Sequence, residues 1–337
     1  MARPIGPPED RVLAPARVVE QGWVPAAPGT AADPDYAALL DTERHRAVDP
    51  ATDPFRFLPG PEGEGAYRIY DFGREWYGHL EVDIEAPAGA LLDVAHADAL
   101  FDGRLRVCRG GRRFTSYRFA DRFTLRAGRQ TVAQRLHARG GRYLQLAVRN
   151  APGPVRLEGL RLVSRLCAAP AAASFACPDP ILERLWAKCA ATVRACSADT
   201  FMDCPWREQA LWTNDQSVTS LYYLALTGDA VFAAHNLRMA ADGQRPDGLI
   251  PPVYPSQMKR EFPSLPALWT FTLSDYVRYT GDRALFEELR PVLERALAVY
   301  DTWREADGLV PDQDGAWNFI DWGYRGGQPR PAPGAKT

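Results

Sequence analysis

The stretch Asp203-Cys204-Pro205-Trp206-Arg207-Glu208-Gln209-Ala210-Leu211-Trp212-Thr213-Asn214-Asp215 carries the densest chemistry in the chain. Three carboxylates, one guanidinium and two indoles fall within thirteen residues. Carboxylates beside aromatic platforms suit a sugar. Indoles stack on the apolar face of a pyranose, and carboxylates bind hydroxyls or move protons. Cleaving a glycosidic bond needs one carboxyl kept protonated near neutral pH. Neighbouring negative charges favour that state and a neighbouring guanidinium opposes it, so the sequence leaves the balance open. The same residues also suit a capped helix start with surface charges. Cys204 lies beside acids and Arg207, but no histidine is near enough in sequence to activate its thiol.

Elements of two different periods must position this stretch. Asp179-Pro180 reads as an N-cap followed by proline at the first helical position. Ile181, Leu185, Cys189 and Val193 then recur every fourth residue and predict one buried stripe, with Cys189 as a buried reduced thiol. Further helices are expected at about 215–227, 230–241, 266–280 and 283–305. Thr227-Gly228-Asp229 recurs as Thr280-Gly281-Asp282, 53 residues on (280 − 227). Asp247-Gly248-Leu249-Ile250-Pro251 recurs as Asp307-Gly308-Leu309-Val310-Pro311, 60 residues on (307 − 247). Each Thr-Gly-Asp offers a glycine for a left-handed helix stop and an aspartate to cap the next helix. The repeating unit is therefore a helical hairpin plus a long loop, and such hairpins must bury their stripes against neighbours. Long loops at one end favour a closed α/α toroid over an open solenoid. The region has room for about three of six hairpins, so the chain is expected to stop inside its own fold.

Upstream, the period is two. The segments 67–73, 79–87, 90–98, 116–128, 142–150 and 155–166 read as strands rich in Val, Leu, Tyr and Phe, bounded by Gly, Pro and Asn. In His79–Glu85 the alternation sets Leu80, Val82 and Ile84 on one face and His79, Glu81, Asp83 and Glu85 on the other. Strands without intervening helices predict a β-sandwich over 61–168. Residues 1–60 are expected as a poorly ordered Pro/Ala-rich lead-in with one helix-like piece at Tyr36–Arg46, and 174–337 as the helical domain.

Composition excludes several classes. Net charge is 40 − 42 = −2 and only Lys188, Lys259 and Lys336 are lysines, so no basic field marks a nucleic-acid binder. No apolar run reaches the roughly 18 residues of a membrane span, and the first ten residues lack a signal-peptide core. The expectation is a cytoplasmic protein without nucleic-acid or membrane partners, of unspecified oligomeric state. Six cysteines form no CxxC pair, and Gly110-Gly111 and Gly140-Gly141 lack the strand–turn–helix setting of a phosphate loop, so no metal or other cofactor is expected. His96 reads as a sandwich residue, His235 as a packing residue, Trp269 as a core tryptophan and the Arg109–Arg113 run as a solvated loop.

Read as motifs, these stretches resemble one family. DCPWREQALWTND is similar to the DCPxREx(3)WxxD signature of the family 78 α-L-rhamnosidases, which are six-hairpin glycosidases. YDFGREWYGHLEV, APAGALLDVAHADAL, RLHARGGRYLQL, FACPDPILERLW and Asn318–Gly323 resemble further family segments, in family order. The resemblance implies a multidomain all-β plus all-α chain, a β-sandwich followed by an incomplete (α/α)6 toroid. It implies hydrolysis of terminal α-L-rhamnosides with inversion. It places the general acid on Glu208, with Asp203, Arg207, Trp212, Asp215, Asp321 and Trp322 shaping the sugar subsite. The partner is then a rhamnosyl glycoside. The family's general base is a late glutamate, expected beyond Thr337, so residues 1–337 alone are expected to be inactive; Asp321 and Glu261 are weak substitutes. Leu211 and Asn214 stand at family glycine positions, where side chains in place of open space are expected to alter the sugar accepted. Arg74-Glu75 replaces a Gln-Asn pair, a change that bears on the sandwich. A carbohydrate-binding fragment without catalysis, or a six-hairpin hydrolase or lyase for another sugar, remain the alternatives.

Overall fold

The computed structural model describes residues 9–27, 46–47, 56–60, 63–101, 103–105, 120–169, 172–258 and 261–319. It divides into two compact units. Among the described residues, the sheet unit comprises those up to Leu166 with Pro205–Arg207, and the helical unit comprises Cys167–Cys204 and those from Glu208 to Phe319.

The sheet unit has β1 (Glu9–Leu13), β2 (Arg17–Val24), β3 (Arg46–Ala47), β4 (Arg56–Phe57), β5 (Gly65–Ala86), β6 (Leu91–Ala97), β7 (Leu100–Phe101) and β8 (Arg104–Leu105). β9 (Ala120–Thr124), β10 (Gly128–Ala133), β11 (Arg139–Arg149) and β12 (Val155–Leu166) follow. Every described pairing is antiparallel. The 22-residue β5 organises the unit because its two halves have different neighbours. Gly65–Asp71 pairs with β2 and β11, and β11 continues into β6 and β9. Gly78–Ala86 pairs with β12 and β10, and β12 carries β1 at its other edge. Between the halves lies a bulge where β11 shifts register from Gly141 to Tyr143, and Gly73 supplies a backbone φ of 76° there. The expected alternation holds: Leu80, Val82 and Ile84 are buried in one core with Trp76, Leu92, Val94, Leu144, Leu146 and Leu162. On the opposite face, Glu81 and Asp83 pair with Arg161.

Two expectations for this unit need correction. Residues 9–24, read as lead-in, form β1 and β2, because Val12↔Val163 and Trp23↔Ala66 are ladder partners. Segments 67–73 and 79–87 are one strand. The helix-like piece expected at Tyr36–Arg46 lies, apart from Arg46 in β3, outside the described residues. So does the Arg109–Arg113 run.

The helical unit contains α1 (Pro180–Ala195), α2 (Thr213–Thr227), α3 (Ala230–Asp242), α4 (Leu265–Thr280) and α5 (Arg283–Trp303). Asp179 caps α1, accepting from Ile181 N at 2.8 Å. The sequence repeat is a structural repeat. In each copy the glycine ends a helix in the left-handed region (φ 66° at Gly228, 74° at Gly281). Thr227 and Thr280 hydroxyls donate to Tyr223 O and Tyr276 O at 2.7 and 2.8 Å. Tyr223 and Tyr276 hydroxyls donate to Asp229 and Asp282 at 2.9 and 3.0 Å, and those aspartates cap α3 and α5. The Asp-Gly-Leu loops match as well: Leu249 N and Leu309 N donate to Asp247 and Asp307 at 3.0 and 3.1 Å. The core holds Leu224, Leu237, Trp269, Leu273, Tyr276 and Leu285.

The buried stripe expected on α1 is not buried. Ile181 and Leu185 are 63% and 55% exposed, Cys189 is exposed and Val193 half-buried. The helix buries Ala190 and Ala195 instead, so it rests on its small residues and turns its large apolar side chains outward.

Candidate active site

The segment from Asp203 to Trp212 contains no regular helix or strand; it is a loop held by its own polar groups. Asp203 N donates to Ala210 O, and Ala210 N returns a bond to Asp203 Oδ1, both at 3.0 Å. Cys204 Sγ donates to Asp203 Oδ2 at 2.9 Å and accepts from Glu208 N at 3.4 Å. Asp203 is thus a loop brace in this structure. Gln209 sits at φ 55°, a left-handed conformation that a residue with a Cβ adopts at a cost of about 1–3 kcal/mol. This sharp turn directly follows Glu208.

Glu208 is half-buried, and its Oε2 accepts from the Trp212 indole Nε1 at 2.9 Å. The four-residue spacing of the motif is therefore a physical contact between carboxylate and indole. Trp212 meets Phe262 edge-on with ring centroids 5.8 Å apart, and Phe262 packs on Trp317 (5.0 Å) and Phe319 (6.0 Å). These four rings with Leu265 form an apolar cluster around Trp212. Phe262 and Trp317 carry no motif, and the spacing of neither betrayed it. Phe319 also lines an apolar cleft of about 260 Å³ formed by Pro263, Ala267, Leu268, Phe271, Tyr300 and neighbours. Glu208 does not line that cleft.

The remaining candidates fall as follows. Asp215 is half-buried in the first turn of α2, where the helix dipole favours a carboxylate. Arg207 groups with the sheet unit, as do Pro205 and Trp206. Trp206 donates its indole N–H to His96 O at 2.9 Å and packs with Tyr67, Ala95 and Ala97, so it anchors the segment. Gly140 explains how the backbone fits: a Cβ there would lie 2.0 Å from Pro205 O. Asp321 and Trp322 lie outside the described residues. Glu261 pairs with Arg245 at 2.8 Å. Leu211, expected to crowd the subsite, is 3% exposed in a core with Phe201, Tyr223 and Phe232, so this departure is absorbed by packing.

Titratable residues elsewhere have structural explanations. His96 is fully buried edge-on to Trp76, and burial lowers its pKa to about 3 despite Asp121 nearby. Burial lowers His235, which stacks on Phe232. Trp269 is fully buried and donates to Leu237 O at 3.1 Å.

Two family models match the chain. The bacterial α-L-rhamnosidase 6 hairpin glycosidase domain covers residues 170–336, and the bacterial α-L-rhamnosidase concanavalin-like domain covers residues 63–163. No curated protein matches. Among solved structures, the GH78 family rhamnosidase of Bacillus sp. GL1 is 26% identical with a TM-score of 0.71, over 83% of this chain and 29% of that one. A rhamnosidase from Klebsiella oxytoca with rhamnose bound is 21% identical with a TM-score of 0.72, over 93% and 61%. The Streptomyces avermitilis α-L-rhamnosidase complexed with L-rhamnose is 22% identical with a TM-score of 0.61, over 82% and 26%. The chain thus spans less than a third of the Bacillus and Streptomyces proteins.

Proposed function

The chain belongs to the bacterial α-L-rhamnosidase family, and from that premise we propose that the complete protein hydrolyses terminal α-L-rhamnosides with inversion, Glu208 serving as general acid. The observation that carries this reading is the Glu208–Trp212 bond at 2.9 Å. It fixes one carboxyl oxygen and sets an indole beside the reacting group, where a sugar ring needs an apolar platform. Glu208 hands its proton to the departing glycosidic oxygen while a second carboxylate activates water on the opposite face. In an inverting pair the two carboxyls stand about 6.5–9.5 Å apart. That second carboxylate is the late glutamate that the family resemblance implies. Asp203 holds the loop that carries the acid. Arg207, Asp215, Asp321 and Trp322 complete the sugar subsite.

The test is Glu208→Gln in the complete protein, assayed on aryl α-L-rhamnosides of graded leaving-group pKa. A general acid predicts a loss of about 10²–10⁴-fold on poor leaving groups and a smaller loss on dinitrophenolate, which departs without a proton. Activity within tenfold of the unmodified protein on every substrate refutes the assignment. Rhamnose binding indifferent to this substitution, with no turnover by the unmodified complete protein, would establish a carbohydrate-binding role instead.

A further inference from the structure

One face of α2 is polar where a helix interior is ordinarily greasy. Thr213, Gln216, Ser220, Leu224 and Thr227 follow a three–four spacing that puts them on one stripe, and all five are buried. The stripe faces α4. At one end the Thr213 hydroxyl donates to Leu265 O at 3.1 Å, and at the other the Tyr279 hydroxyl donates to Leu224 O at 3.2 Å. Between these contacts, Gln216 is 1% and Ser220 2% exposed. Both polar atoms of the Gln216 amide and the Ser220 hydroxyl lack a hydrogen-bond partner among the described residues. The hydroxyl of Thr272 on α4, also buried, is committed to Leu268 O at 2.9 Å.

The repeat shows that packing does not demand polarity here. With the 53-residue offset of the two Thr-Gly-Asp turns, Gln216 corresponds to Trp269 and Ser220 to Leu273. In α4 those two residues fill the core. In α2 an amide stands where α4 has an indole and a hydroxymethyl where α4 has an isobutyl group, so smaller side chains with unmatched donors and acceptors face the seam. Orphaning a buried polar group is costly, and buried polar groups that lack a protein partner are ordinarily satisfied by ordered water.

We propose that the seam between α2 and α4 is a binding site for ordered internal water, held by the Gln216 amide and the Ser220 hydroxyl. The water lies along α2 within about a turn of Trp212, and it is independent of any catalytic role for Glu208. The test uses the 337-residue chain. Gln216→Met keeps the length of the side chain and deletes its polar atoms; Ser220→Ala deletes the hydroxyl. If water bridges them, each change strands it and lowers the thermal midpoint of the helical unit, by about 2–5 °C for Gln216→Met. If the seam is dry, deleting orphaned groups leaves the midpoint unchanged or raises it, and the proposal fails. A crystal structure supplies a second readout that survives a poorly folding variant. Density for water about 2.7–3.2 Å from the Gln216 amide supports the site, and an empty seam overturns it.

Discussion

Asp93→Asn is the sharpest perturbation the sheet unit offers. Asp93 on β6 is fully buried and accepts from Arg122 Nε and Nη2 at 2.6 and 2.8 Å and from Arg149 Nη1 at 3.1 Å. The two guanidinium side chains are 4% and 0% exposed. Arg149 also donates to Pro25 O and Ala26 O, fastening the chain after β2 across the sheet. At an effective dielectric constant of about 20, each ion pair near 4 Å is worth roughly 4 kcal/mol before desolvation. Asparagine has the same shape but no charge, so it removes the anion that the two buried guanidinium groups share. Breaking a buried pair in this way costs about 3–5 kcal/mol. For a unit of this size that is a fall in Tm of roughly 6–20 °C. Thermal and urea unfolding followed by tryptophan fluorescence, at low and high salt, reads it. The loss should persist at high salt, since buried pairs are weakly screened. A loss under about 1 kcal/mol, or one abolished by salt, would refute the reasoning.

Three further outcomes are expected. Asp71 is almost fully buried, and its hydrogen bond from Arg142 holds its pKa near 2 against the pull of desolvation. Its contribution is present above the unfolded value near 4 and is lost as pH falls through about 2. Asp71→Asn should therefore cost about 2 kcal/mol in urea unfolding at pH 7 and progressively less below pH 4. Glu75 behaves oppositely, because burial, with Asp98 adding to it, raises its carboxyl to about 7. Stability should decline as pH rises from about 4.5 to 7, so Glu75→Gln should raise Tm at pH 8 and leave it unchanged at pH 4, with equal Tm gains at both pH values counting against the argument. Trp212→Phe keeps a ring but deletes the bond to Glu208; in the complete protein kcat should drop about 10–100-fold with a smaller change in KM, whereas a change confined to KM would mean that the bond serves sugar binding alone.

Much of this was legible in the residues because the signals are local. β12 begins and ends where the period-two run does, and helices α2 to α5 start within two residues of their expected positions. Capping aspartates and stop glycines are short-range chemistry. What stayed hidden depends on contacts distant in sequence. β1 and β2 are short runs in a proline- and alanine-rich stretch, and only their partners on β12 and β5 define them. The α1 stripe has helical spacing whether or not anything covers it. At the site, the Glu208–Trp212 pairing stayed hidden too, because the loop between them is not helical and a spacing of four implies no contact there. Nothing in glutamine announces a left-handed turn at 209, nothing in tryptophan separates the anchoring Trp206 from Trp212, and Leu211 at a glycine position does not reveal that it faces inward.

The two Thr-Gly-Asp turns repeat the same tyrosine, threonine and glycine bonds, yet the helices that follow them differ in length, 13 residues for α3 and 21 for α5. The corner is therefore self-contained: its geometry is written in seven consecutive residues and does not consult the rod it launches. A hairpin built on such corners can be lengthened or shortened at its far end without retuning the bend. Insertions between one corner and the next Asp-Gly-Leu loop should consequently be tolerated in whole helical turns, leaving the loops free to diverge while the scaffold keeps its pitch.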